Sequence, residues 1–470
     1  MGINELSDGS YPNGSLLSEL ILDFPQVSDN SSDFWPPLEG FAQSRDLPAA
    51  ATLRLVALSF FSTLCPTITI FYYNSIFYRL TLPRSHRDYP DEHFLHSMIA
   101  LAILRIGEKA LEKEAHLQLE YTRSGLSPEE WHAAKSSKGV QNAFNQAVES
   151  RNWEKALDCV RANILFIQYL NRRGLRHAGI GCQMARHLEL HLLPWKRKLL
   201  PPAESSTCEW EQNMIFWWTI LGDRIATIIA GILPQLDDSL IEVPIPSAVP
   251  VLKTDIEESR QIQALGAHSP SFYTTNPSDL VGDLQLLFKL SSLFSRSISI
   301  SQRKTTFLDC PAESNLDPFD RRNSIDFIRL EFDISNFLES LNEYTFSPPE
   351  KRSILISCIN FAYITIHEDF ISAREDDVSL RRVLNAADQV YLHVFPATDS
   401  FEMTDLLQIM SAAWEAAART YLRVLALKEA LGHPTADLEN RASYIIECLE
   451  SFKSPSLGLS TPNQQNLTAL

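Results

Sequence analysis

EQNMIFWWTILGDRIATIIAGILPQLDDSLIEVPIP, residues Glu211 to Pro246, decides how the rest of the chain is read. Between Glu211 and Asp237 the only formal charges are the adjacent Asp223 and Arg224. Met214, Trp217, Leu221, Ile225, Ile228 and Ile232 recur every three or four residues, the spacing of a helix face laid against a core. A charge inside such a helix is costly to bury unless it is paired and hydrogen-bonded. The spacing therefore predicts a helix over 211–232 in which the acid and the base each find a partner. An acidic turn, Asp237-Asp238, follows, and then an exit over 243–251 whose three prolines make it extended.

The stretch resembles the regulatory domain, or middle homology region, of fungal zinc-cluster transcription factors. Glu211, Phe216, Trp217, Asp223, Arg224, Gly231, Leu236, Asp237, Asp238, Pro244 and Pro246 fall into that family's register without a gap. Two departures accompany the match. Gln212-Asn213-Met214 stands where the family has arginines, and Ile232-Leu233 replaces an Arg-Pro after the glycine. A second block, Val160 to Leu192, is similar to a helix pair of the family, with Met184, Ala185, Leu188, Leu190 and His191 in place. A third, Phe60 to Phe77, resembles the family's opening aromatic and proline segment. The resemblance implies a transcriptional regulator of the nucleus. It also implies dimerisation with itself or a relative, coregulator contacts and response to a small-molecule effector.

Composition agrees with a helical regulator. The chain has 470 residues, long enough for several packed subdomains, with 45% hydrophobic and 21% charged residues. Glycine is scarce at 16 and strand-like alternation is rare, which favours an all-α, multi-helix fold. A net charge of −17 opposes direct nucleic-acid binding, which needs clustered Lys and Arg. The seven cysteines (65, 159, 182, 208, 310, 358 and 448) are dispersed, as expected for reduced thiols. They include no six-cysteine zinc cluster of the kind that precedes this domain in the family. Two expectations follow: a regulator without its own DNA reader, or part of a longer DNA-binding activator.

Residues 1–50 hold eight acids against the single Arg45, with Leu, Phe and Trp among them, so a disordered acidic and aromatic segment is expected. That composition is also the one of activation segments. Residues 51–250 read as an N-terminal helical part, 251–277 as a linker, 278–453 as a C-terminal helical part and 454–470 as a flexible tail. Expected helices span 94–119, 153–170, 176–189, 211–232, 280–301, 325–341, 352–373, 380–395, 406–429 and 436–452. Ser127-Pro128-Glu129-Glu130 and Ser347-Pro348-Pro349-Glu350 are capping boxes that start helices, and Asn276-Pro277 offers a third start. The 24 residues between Arg54 and Arg79 carry no charge, but their Ser, Thr, Asn and Pro content favours two buried helices over a membrane span.

No catalytic, cofactor-binding or metal-ligating set emerges. Asp237-Asp238 with Glu242 loosely fits the Mg²⁺ motif of a helical terpene cyclase, but no second carboxylate motif accompanies it. His187, Glu189 and His191 form a His-x-Glu-x-His phrase; on a helix the histidines would share a face with no third ligand. His93 and His96 are read in the same way. Lys196-Arg197-Lys198 reads as a solvated basic loop beside a nuclear-import alternative. Trp217 and Trp218 read as core ahead of a ligand-pocket alternative. Trp217, Asp223, Arg224 and Asp237 are thus assigned to packing, a buried charge network and the turn after it. Asp223→Ala is expected to destabilise the fold by leaving Arg224 unpaired.

Overall fold

Helix boundaries follow from the chemistry of their ends. Ser127 Oγ accepts the backbone N–H of Glu130 at 3.4 Å while Glu130 Oε2 accepts that of Ser127 at 3.2 Å, the reciprocal capping box expected from the sequence. Asp91 caps the helix after it by accepting His93 N–H at 3.0 Å. Gly107, at φ +74°, then stops that helix, so the single helix expected over 94–119 is two. An L side chain tolerates this left-handed backbone poorly, which is why the apolar pattern breaks there.

The computed structural model describes residues 46–63, 73–108, 111–172, 180–201, 206–230, 233–246, 282–308, 324–343, 350–371, 378–394, 404–430 and 433–452. The expectations for 1–45, 251–277 and 454–470, and the helix starts at Asn276 and Ser347, lie outside these residues. Among the described residues there is no strand, and the fold is all-α. In chain order the helices are α1 (Ala50–Thr63), α2 (Tyr73–Arg79), α3 (Glu92–Ile106), α4 (Ala115–Ser124), α5 (Pro128–Ser137), α6 (Val140–Glu149) and α7 (Trp153–Arg172). Then come α8 (Gly181–His187), α9 (Ser206–Ala230), α10 (Gly282–Leu308), α11 (Ile325–Glu343), α12 (Glu350–His367), α13 (Val378–Leu392), α14 (Thr404–Ala430) and α15 (Ala436–Phe452).

Packing runs outward from four helices, α3, α7, α9 and α12. α3 lies against α1, α5 and α7, while α7 also meets α6, α8 and α9. α9 packs on α7, α8, α10 and α14, and α12 packs on α10, α11, α13 and α14. One hydrophobic cluster runs through these contacts from Leu47 to Leu449; a satellite of Leu117, Tyr121 and Trp131 lies apart from it. The sequence spacing assigns α9 one apolar face, yet every residue from Trp210 to Leu221 is buried. The reason is local composition: Met214 to Trp218 is a continuous apolar run, so neighbours must cover the helix on all sides. Among the described residues no helix is long and apolar enough to cross a membrane.

The docking of α8 depends on one glycine. Asn163 Oδ1 on α7 accepts the backbone N–H of Gly181 at 3.0 Å. A Cβ at residue 181 would stand 2.6 Å from that oxygen and 3.3 Å from Cγ2 of Thr219 on α9. Only glycine lets α8 sit this close to both longer helices.

Candidate functional site

The signature stretch ties three elements together with buried polar bonds. Arg224, fully buried on α9, donates to its neighbour Asp223, to Asp238 Oδ1 at 2.7 Å and to the carbonyl of Leu236 at 2.5 Å. Asp223 in turn accepts the backbone N–H of Gln235 at 3.2 Å. The second oxygen of Asp238 accepts Ser292 Oγ–H of α10 at 2.6 Å. Asp237 is exposed and caps the short 3₁₀ turn after it, accepting Ser239 N–H at 2.8 Å. Burial works against the charge of Arg224, but Asp238 and Asp223 outweigh it and hold its pKa above the ordinary value.

The proline exit is clipped at two points. Trp217 Nε1–H donates to the carbonyl of Pro244 at 2.8 Å, and Gln285 of α10 donates to that of Pro246 at 2.8 Å. The Trp217 indole stacks on Phe288 of α10 with ring centres 5.6 Å apart and meets Phe216 edge-on at 5.7 Å. Trp217 and Trp218 are both buried. Gly231 lies outside the described residues. The other signature residues converge on the junction of α9, the acidic turn and α10, except Glu211.

Glu211 belongs to a second network at the other end of α9. It stands 3.6 Å from the guanidinium of Arg161 on α7. Arg161 pairs with Asp158 at 2.7 Å, and Arg79 grips the same carboxylate from α2 through bonds of 3.0 and 2.5 Å. Asp158 also accepts the backbone N–H of Asp91 at 2.9 Å. Burial raises the Asp158 pKa, but Arg79 and Arg161 overcome this and hold it below 3.8. Sequence reading missed this network, because Asp158 and Arg161 share α7 with Glu154, Lys155 and Arg172 and do not stand out as isolated charges.

A third network corrects the reading of Lys196-Arg197-Lys198 as solvated. Lys196 bonds Glu242 at 2.9 Å, but Arg197 is buried. It donates to Gln212 Oε1 at 2.6 Å, Asn213 Oδ1 at 3.0 Å and the carbonyls of Leu192 and Leu190 at 3.1 and 3.2 Å. Gln212 and Asn213 are the residues that stand where the resembling family has arginines. Here the guanidinium comes from the loop before α9 and the amide oxygens accept from it.

The remaining candidates separate. Helix α8 ends at His187, and Glu189 takes a left-handed backbone at φ +57°, so His187 and His191 share no helical face. The His187 ring meets Phe144 edge-on at 5.7 Å, while the carbonyl of His191 accepts Glu242 N–H at 2.9 Å. Asp237, Asp238 and Glu242 face different partners, Ser239, Arg224 and Lys196, and do not converge as Mg²⁺ ligands would. Among the described residues no cluster of His, Cys, Asp or Glu could hold a metal ion. Five cysteines fall within them, all free, and burial raises the thiol pKa of Cys159, Cys182 and Cys358.

Two histidines form a distinct buried chain. His96 Nδ1 lies 2.7 Å from His132 Nδ1, and His132 Nε2 lies 2.9 Å from the Tyr121 hydroxyl, with Trp131 edge-on to both imidazoles. Burial pushes the pKa of His96 down to about 3 and that of His132 well below its ordinary value, so both rings are neutral at pH 7.

These arrangements share one property. Most of their polar atoms bond one another, so they hold the helices in place. Among protein families the chain matches the fungal specific transcription factor domain over residues 57–337. Neither the curated proteins nor the solved structures compared with it provide a match. The matched segment is more than half of the chain and contains both ion networks and the Arg197 clamp, so the protein belongs to the family of the fungal specific transcription factor domain.

Proposed function

We propose that this chain regulates transcription in the nucleus through protein contacts, and that its 470 residues do not themselves bind DNA. Family membership carries the regulatory part of the reading. The net charge of −17 supports the rest, because phosphate binding is driven by clustered cations. Catalysis has no assigned role here: the buried acids and bases serve packing. Partners are a second copy or a related chain, and coregulators. The acidic and aromatic residues 1–45 are assigned to coregulator contact from their composition alone.

Fusion of the chain to a heterologous DNA-binding domain tests this on a reporter gene. Reporter output should change severalfold with the full fusion and fall back towards baseline when residues 1–45 are removed. A folded, nuclear fusion that leaves the reporter unchanged overturns the reading. Mobility-shift titration of the unfused chain against duplex DNA should show no binding at low salt.

A second reading is that these residues form the regulatory part of a longer DNA-binding activator, and the family resemblance favours it. Long-read sequencing of the native transcript decides between the two. An in-frame upstream exon with six closely spaced cysteines and a basic linker would establish the longer protein.

A further inference from the structure

A cleft of about 400 Å³ opens between α11, α12 and α13. Every residue lining it comes after the family-matched segment, which ends at residue 337. Arg352, Ile356, Asn360 and Tyr363 line it from one face of α12, at helical spacings of four, four and three. Arg382, Asn385, Ala386 and Gln389 do so from α13, His393 from the turn after it, and Leu338 and Leu341 from α11. The volume lies within the range of small-molecule sites and is too small for a peptide helix.

The chemistry of the lining is one-sided. Leu338, Leu341, Ile356 and Ala386 supply an apolar floor. Asn360, Asn385, Gln389 and Tyr363 supply neutral hydrogen-bonding groups, and two guanidiniums stand at the wall without a carboxylate among the lining residues. The pKa of His393 is lowered by burial and by Arg352, so the ring stays neutral at pH 7 and offers hydrogen bonds rather than charge. A chain of net charge −17 repels anions as a whole, so a cationic wall of this kind has to be built locally. Planar guanidinium groups bind carboxylates through paired hydrogen bonds.

We propose that this cleft binds a small organic anion: a carboxylate held by Arg352 and Arg382, with an apolar body on the leucine floor. Arg382 shares its charge with Glu331, which also accepts from His367 at 2.9 Å. Glu331 is thereby a positioning residue that limits affinity. Binding stands on the lining alone; only its use as an effector site rests on the regulatory reading above.

The test uses the full chain, with 2-naphthoate as the probe and its neutral isostere 2-naphthamide as the charge control, followed by calorimetry. Naphthoate should bind saturably at one site and at least tenfold more tightly than the amide. Arg352→Gln should weaken naphthoate at least fivefold, with a melting temperature unchanged within a few degrees. Glu331→Gln should tighten it at least twofold, because Arg382 is then released to the ligand; a merely structural role would not give this sign. Arg123→Gln, an exposed residue of α4, should have no effect. Equal binding of acid and amide, no saturable binding, or full affinity in a folded Arg352→Gln variant overturns the proposal. A reporter that ignores naphthoate while calorimetry shows binding removes only the effector role and leaves the site in place.

Discussion

Helices α7 and α9 within the matched segment and the helices after that segment treat charge differently. In α7 and α9, Asp158, Arg161 and Arg224 are almost wholly withdrawn from solvent and paired with opposite charges. In the later helices, Arg382 keeps 44% of its side chain exposed, and the Asp388–Arg441 pair keeps 39% and 29%. A buried ion pair is weak evidence of added stability, but removing one partner is severe because the other remains buried without compensation. A surface pair costs little to keep and little to lose. The first set of charges is held by burial and mutual pairing, and the second lies close to solvent.

That contrast breaks most readily at Asp158. Replacing it with Ala leaves Arg79 and Arg161 buried side by side and should cost about 3–5 kcal/mol. Denaturant midpoints would show this, and a loss below about 1 kcal/mol would place the networks on an equal footing with surface pairs. Next comes Asp223→Ala. Because Arg224 also holds Asp238, the single change does not leave the guanidinium alone, and the loss should be about 1.5–3 kcal/mol. Asp238→Ala alone should cost about as much, and the double variant should lose more than the sum of the two, since only then is Arg224 without a carboxylate.

Acid sensitivity sharpens the comparison further. The folded state holds His96 at about 3 and His132 well below 6.5, so both bind protons more readily when unfolded. The stability tied to this is fully present above the ordinary value of 6.5 and is lost as pH falls from there towards 3. At pH 5 the loss from His96 should reach about 2 kcal/mol, and His132 acts in the same direction. The His96→Leu/His132→Leu protein should show a flatter profile between pH 7 and 5 than the parent in urea titrations at each pH. The smallest effect belongs to Glu415→Ala on α14, whose partner Arg419 keeps 43% of its side chain exposed, and it should cost less than about 1 kcal/mol by the same denaturant assay.

Local chemistry was legible to different depths. The Ser127 capping box and the start of α15 at Ala436 follow from side chains within a few residues, and so were readable. The split of 94–119 was hidden because Gly107 is a lone break in an otherwise periodic pattern, and its left-handed backbone shows only in three dimensions. Helix α6 was overlooked because Val140 to Glu149 has no side-chain cap at its start. At the candidate site, the charges within α9 announced themselves by their isolation. Asp158 and Arg161 did not, because Glu154 and Lys155 share their helix, and their partner Arg79 lies 79 residues before Asp158 and cannot be found by spacing.

By itself, then, the sequence determined that this is a helical regulator of the fungal transcription factor type, and that Asp223 and Arg224 must be paired. Both follow from order along the chain and from the cost of burying charge. Tertiary structure alone decided that Asp238 and Ser292 complete the Arg224 network and that Arg197 turns inward to Gln212 and Asn213. It also brought three helix faces together around the cleft at Arg352 and Arg382. Periodicity states which face of a helix is buried. Which neighbour meets that face is set by close packing among helices far apart in the chain, and no local pattern carries that information.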